Sequence, residues 1–188
     1  PEAWQASQQL AWARRDFDAA LAFANGAPPS QVPFYGAITT AWRATANRRV
    51  GNEVRSRAAG DSVLVMMESF SIPSPGWREG IVSMALLAKG RNEEAQTVAH
   101  DCLERVDVER DALDDVNVAT LCLALLGEAG DRDEAIDGLI RIAGRPNRDL
   151  SSGRLAHEPR YRDVLGDHPR FPELEAKLQE AEQAAQGH

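Results

Sequence analysis

Gly90-Arg91-Asn92-Glu93-Glu94-Ala95 and Gly130-Asp131-Arg132-Asp133-Glu134-Ala135 are one phrase written twice. In each, Gly closes a helix in the left-handed conformation and a polar residue, Asn92 or Asp131, caps the next. Two acidic residues then fall in the first turn, where they complement the positive end of the helix dipole. The Ala that follows is small enough for two helices to cross closely. Apolar runs precede both phrases, through Met84, Leu86 and Leu87 and through Leu121, Leu123, Leu125 and Leu126. The pattern predicts helix–turn–helix units; one hairpin cannot bury its own apolar face, so such units must stack.

Composition agrees with that reading. Aromatic residues make up only 6% of the 188 residues and alanine is abundant, which favours helix over sheet. A formal net charge of −8 argues against a nucleic-acid surface, since such binding depends on neutralising phosphates. Arg43, Arg48, Arg49, Arg55 and Arg57 form the one basic cluster, which reads as a solvated helix face. Cys102 and Cys122 supply neither a disulfide framework nor a metal set. They read as free thiols packed in the core, with a disulfide between neighbouring helices as the alternative, and a reducing, cytoplasmic setting follows. No window approaches the roughly 20 apolar residues a spanning helix needs, so no membrane partner is expected.

Outward from the two phrases, the first segment follows the same grammar. Residues 3–13 read as a helix, Arg14-Arg15-Asp16-Phe17 as the turn and residues 17–25 as the partner, with Ala20 in the close-packing place. Pro33 starts a helix to about Asn47, and its partner follows from Gly51 with its small residue near Ala58 or Ala59. Gly60-Asp61 reads as a break before 62–70, which reads as helix rather than strand because no second strand is evident to pair with it. Ile72-Pro73-Ser74-Pro75-Gly76 cannot continue a helix and reads as an inter-unit loop. The acidic tract 107–115 lacks the alternation of a calcium loop and reads as the solvated start of a fourth unit. Units of about 1–28, 31–70, 76–106 and 112–144 result, in a single domain. After Pro146, Leu155-Ala156-His157-Glu158-Pro159-Arg160-Tyr161 and Leu165-Gly166-Asp167-His168-Pro169-Arg170-Phe171 repeat one short phrase ahead of a final helix through Leu174 and Leu178. Together they make a C-terminal cap over 150–185.

Trp4, Asp16, Phe17, Ala20, Ala27 and Pro28 resemble the tetratricopeptide-repeat pattern, W-x2-L-G-x2-Y followed by A-x3-F and a closing Pro over about 34 residues. Ser7, Gln8 and Ala11 depart from it, and the later copies keep residue type better than identity, as in Ala95-x3-Ala99 and Ala135-x3-Leu139. The terminal phrases resemble the endings of repeat arrays in bacterial multidomain regulators, among them winged-helix transcription regulators, adenylate-cyclase-like proteins and Ser/Thr kinases. The resemblance implies an all-α superhelical solenoid of about four hairpins with a C-terminal capping helix. It also implies a non-catalytic scaffold that binds a peptide or protein on its concave face. The first helix of each unit would then contribute Gln5, Gln9 and Trp12; Thr39, Trp42 and Arg43; Trp77 and Met84; and Asn117, Thr120 and Glu128. Trp12 and Trp42 also suit ordinary core positions between hairpins. A small-molecule sensor and a self-associating homodimer are the alternatives.

Catalytic chemistry finds little support in the residues. His100, His157, His168 and His188 have no ligand spacing, so no metal is expected. Glu93-Glu94 and Asp114-Asp115 are neighbours along a helix and do not face one another as an acid/base pair would. No phosphate-binding or dinucleotide fingerprint occurs, and no cofactor is expected.

Overall fold

A computed structural model describes residues 10–26, 32–72, 76–109, 114–145 and 150–186. Every element among them is helical. Helical residues 10–13 lead into α1 (Phe17–Asn25), α2 (Pro33–Arg49), α3 (Glu53–Ser69), α4 (Trp77–Ala88), α5 (Asn92–Arg105), α6 (Asp114–Ala129) and α7 (Arg132–Ile142). Two short helices follow, α8 (Ser152–His157) and α9 (Pro159–Leu165), and then α10 (Phe171–Gln186). The chain is all-α over the described residues, with no strand among them.

The turn phrase occurs four times, once more than its glycines announce. Arg15, Gly51, Gly90 and Gly130 each adopt positive φ (57°, 77°, 75° and 124°). In all four the next amide reaches back five residues: Asp16 to Ala11, Asn52 to Asn47, Arg91 to Leu86 and Asp131 to Leu126, at 2.8–3.1 Å. Those bonds satisfy carbonyls that a helix end would otherwise leave orphaned. Asp16, Asn52 and Asp131 then cap the following helix through their side chains, accepting from Ala19, Arg55 and Glu134 amides. At the third turn the cap position belongs to Arg91, which makes no capping bond, and Asn92 is already helical. Arg91 instead pairs with Glu94 one turn on.

Four residues after each cap lies a buried small side chain: Ala20, Ser56, Ala95 and Ala135. The second unit's crossing residue is thus Ser56, not Ala58 or Ala59, which lie on more open parts of α3. Ser56 Oγ sits 3.0 Å from the Ala44 carbonyl and 2.9 Å from that of Ala88, its single hydrogen shared between hairpins. Replacing it by Leu is expected to cost about 1–3 kcal/mol by overpacking, read as a lower urea midpoint at unchanged slope. An unchanged midpoint would show the crossing to be loose.

The expected break at Gly60-Asp61 does not exist: α3 runs through it. Gly60 serves close packing, since a Cβ there would meet the Ala85 carbonyl at 2.8 Å and Lys89 Cγ at 3.0 Å. Residues 62–69 continue the same helix.

From α1 to α7 each helix packs on the next, with α2 on α3, α4 on α5 and α6 on α7 as hairpins, while α2, α4, α6 and α9 also stack as a second layer. One core joins α6, α7 and the C-terminal helices through Leu126, Ile136, Leu139, Leu155, Leu165, Phe171 and Leu174. A second, around Val63, Met67, Ile81 and Leu87, fills the middle. Within the C-terminal phrases Pro159 takes the first position of α9, whereas Pro169 lies in a turn before α10. The charged residues of that turn clamp α7: Asp167 on Arg132, His168 on Asp133 at 2.9 Å and Arg170 on Asp137.

Cys102 of α5 and Cys122 of α6 form a disulfide, with Cα atoms 6.4 Å apart and both residues fully buried. This overturns the free-thiol reading. Consecutive helices bring the two together, and Gly76 and Gly80 leave room over the sulfurs, each 3.4 Å from where a Cβ would stand.

Candidate binding surfaces

The layer built from α2, α4, α6 and α9 does not present an open concave groove, because α9 returns to the start of the chain. Trp12 Nε1 donates to Glu158 Oε1 at 2.5 Å, and Arg15 Nε donates to Asp163 Oδ1 at 2.9 Å. Arg160 lies 4.5 Å over the Trp42 ring and 3.2 Å from Glu158. Trp12 also packs edge-on against Trp42 and Phe17. An aromatic with its N–H satisfied and its faces covered is a core residue, and Trp12 is only 4% exposed.

The remaining expected contact residues divide by burial. Met84 and Thr120 lie in the core and offer no surface, which corrects their place on an exposed face. Trp77 is half-buried, donating to Asp114 at 3.3 Å and packing edge-on against Phe34. Thr39, Trp42, Arg43 and Asn117 are half-buried. Gln5 and Gln9 lie outside the described residues. Glu128 belongs to an ion cluster: its side chain, 3% exposed, accepts from both Arg48 and Arg49. Desolvation, and secondarily the neighbouring Arg49 charge, lower the Arg48 pKa to about 10. Desolvation lowers that of Arg49 as well.

The basic cluster of the sequence therefore parts into two faces of one hairpin. Arg48 and Arg49 turn inward, while Arg43 and Arg55 line a cavity of about 420 Å³ between α2 and α3 with Thr40, Asn47, Ser62 and Met66. Thr40 donates to Gly36, Arg43 donates to Thr40 Oγ1 at 3.1 Å, and Asn47 Nδ2 donates to the Arg43 carbonyl at 2.9 Å. These bonds run along one helix and link its cavity-facing side chains to one another and to its backbone. Asn47 is 2% exposed and its Oδ1 has no donor among the described residues. Among the described residues neither Arg43 nor Arg55 has a carboxylate partner, whereas Arg57 pairs with Glu53 in solvent. Thr40 and Asn47 escaped the sequence reading, and Arg55 was read only as part of a solvated face; the signal was the i, i+3, i+7 stripe Thr40–Arg43–Asn47, which puts those three on one helix face.

His100, Asp131 and Glu134 bring their ligand atoms within 4.8 Å of one another, as a metal site would require. Both Asp131 oxygens are engaged, by the Glu134 amide and by Gln96. The trio also stands at the positive end of α7, which disfavours a cation.

No protein-family model, no curated protein and no solved structure matches the chain. What the fold defines is a class, an all-α chain of stacked helical hairpins compatible with a helical repeat. Among its described residues no helix is long and apolar enough to cross a membrane.

Proposed function

We propose that the chain is a non-catalytic, tetratricopeptide-like interaction module that holds an acidic segment of a protein partner in the α2–α3 cavity. The observation that carries this is the pair Arg43 and Arg55, two guanidiniums lining one cavity without a carboxylate partner among the described residues. An acidic peptide answers that need, since its carboxylates match the guanidinium fork. The first-helix layer expected to bind is less suited, because α9 covers Trp12 and part of Trp42.

The compartment we propose is an oxidising one. The cytoplasmic expectation rested on free thiols, and Cys102 and Cys122 are joined.

A labelled peptide rich in Asp and Glu should bind the chain with an affinity that falls as salt rises. Arg43→Glu with Arg55→Glu is expected to weaken it about tenfold or more, since each charge-assisted bond is worth about 1.5–3 kcal/mol. Equal binding by the double variant, with helicity preserved, would remove the cavity from consideration.

A further inference from the structure

We propose that the cavity beside Arg48, Arg49 and Glu128 is a binding site for a phosphate-sized oxyanion. Charges do not balance where the first and last described segments meet. Arg15 pairs with Asp163 and Arg160 with Glu158, but Arg48 and Arg49 share the single carboxylate of Glu128. Among the described residues one guanidinium is in surplus. The groups form one electrostatic cluster, since Arg49 feels Asp163, Arg160, Glu158 and Arg15 at once.

Donors are in surplus too. Arg49 Nε and Arg160 Nη1 are shielded from solvent without an acceptor among the described residues, and Arg160 is only 8% exposed. Buried charge is tolerated when it is paired and its hydrogen bonds are met, and here one negative charge and at least two acceptors are wanting. Beside the cluster lies a cavity of about 390 Å³, walled by Arg48, Arg49, Glu128 and Val164. That volume lies within the range of small-molecule sites.

An oxyanion supplies the missing charge and an acceptor for Arg49, which lines the cavity; Arg160 does not line it and feels the ion as charge alone. The ion's several oxygens can engage two guanidiniums at once, and its charge balances the cluster without displacing Glu128. Arg49 Nη2 lies 3.3 Å from Glu128 Oε1, a long contact that leaves its fork free to turn towards a second acceptor. Bound there, the ion neutralises the surplus charge that α2 carries beside α6 and α9, since Arg48 and Arg49 both belong to α2 and face Glu128 of α6 and Val164 of α9. Occupancy therefore stabilises the folded chain. The same chemistry comes from free phosphate or from a phosphoryl group carried by a partner peptide.

The test is thermal unfolding and calorimetric titration of the full chain with inorganic phosphate against sodium chloride at equal ionic strength. A saturable rise of the midpoint with phosphate alone is expected, following the mass-action law for a ligand of the folded state. Arg49→Gln removes the surplus cation and should reduce the phosphate increment to the chloride level at unchanged helicity. Glu128→Gln enlarges the surplus and should bind phosphate about tenfold more tightly, or fold only in its presence. A phosphoserine peptide that competes with phosphate, while its unphosphorylated form does not, assigns the source to a partner; no competition assigns it to the free ion. Identical curves in phosphate and chloride, or a full phosphate increment in Arg49→Gln, would overturn the proposal.

Discussion

Reducing the Cys102–Cys122 bond is expected to lower the unfolding free energy by about 3 kcal/mol, the loop-closure entropy of a span of this length. The cysteines are separated by 20 residues, so the cross-link closes the whole connection between α5 and α6. Its neighbours are Val118, Trp77, Leu103 and Val106, a small apolar cluster that joins the C-terminal core through Leu103 and Val106. With both cysteines fully buried, the native protein should resist dithiothreitol and react only as it opens. Urea unfolding with and without reductant measures the difference. Cys102→Ala, which leaves Cys122 unpaired, should lose at least as much, since a small buried cavity is added to the lost cross-link. Coincident curves for oxidised and reduced protein would mean that α5 and α6 are held by packing alone.

Much of the fold was legible because its turns are local. A left-handed residue, a cap and a small residue four places on fall within six positions, and each has its reason inside that window. Ala20, Ala95 and Ala135 are all fully buried, as close helix crossings require. The second copy, Gly51-Asn52-Glu53-Val54-Arg55-Ser56, obeys the same rule with Ser in place of Ala, and reading by residue type would have found it. Gly60 misled because glycine both breaks helices and lets them approach; only the neighbour, α4, decides which. At Arg15 the left-handed turn is formed without glycine, which no local rule anticipates.

The surfaces were less legible because their pairings are long-range. Trp12 and Glu158 are 146 positions apart, and Arg15 and Asp163 are 148 apart. Helical periodicity places Trp12 on a face but does not say what covers that face. The basic cluster is instructive in the same way. Its five arginines look alike in sequence, yet Arg48 and Arg49 are desolvated, Arg57 is solvated, and Arg43 and Arg55 face a cavity.

Glu128→Ala is expected to destabilise the protein by about 3 kcal/mol, near the lower end of the cost of breaking a buried ion pair. The carboxylate is 3% exposed, but Arg48 and Arg49 retain 28% and 19% side-chain exposure, so water can partly replace the lost partner. Arg48 has one further acceptor, the Leu87 carbonyl at 3.5 Å, too long to compensate. The informative measurement is a double-mutant cycle by urea unfolding. Arg49→Ala alone should cost less, because Arg48 then keeps Glu128 to itself and the local charge is balanced. Combined with Glu128→Ala, Arg49→Ala should give a destabilisation smaller than the sum of the two, since much of the Glu128→Ala penalty is the repulsion between two uncompensated guanidiniums. Strict additivity would mean that Arg48 and Arg49 reach water independently. The surplus positive charge at the junction of α2, α6 and α9 would then not be felt by the fold, and the electrostatic case for an anion there would fall with it.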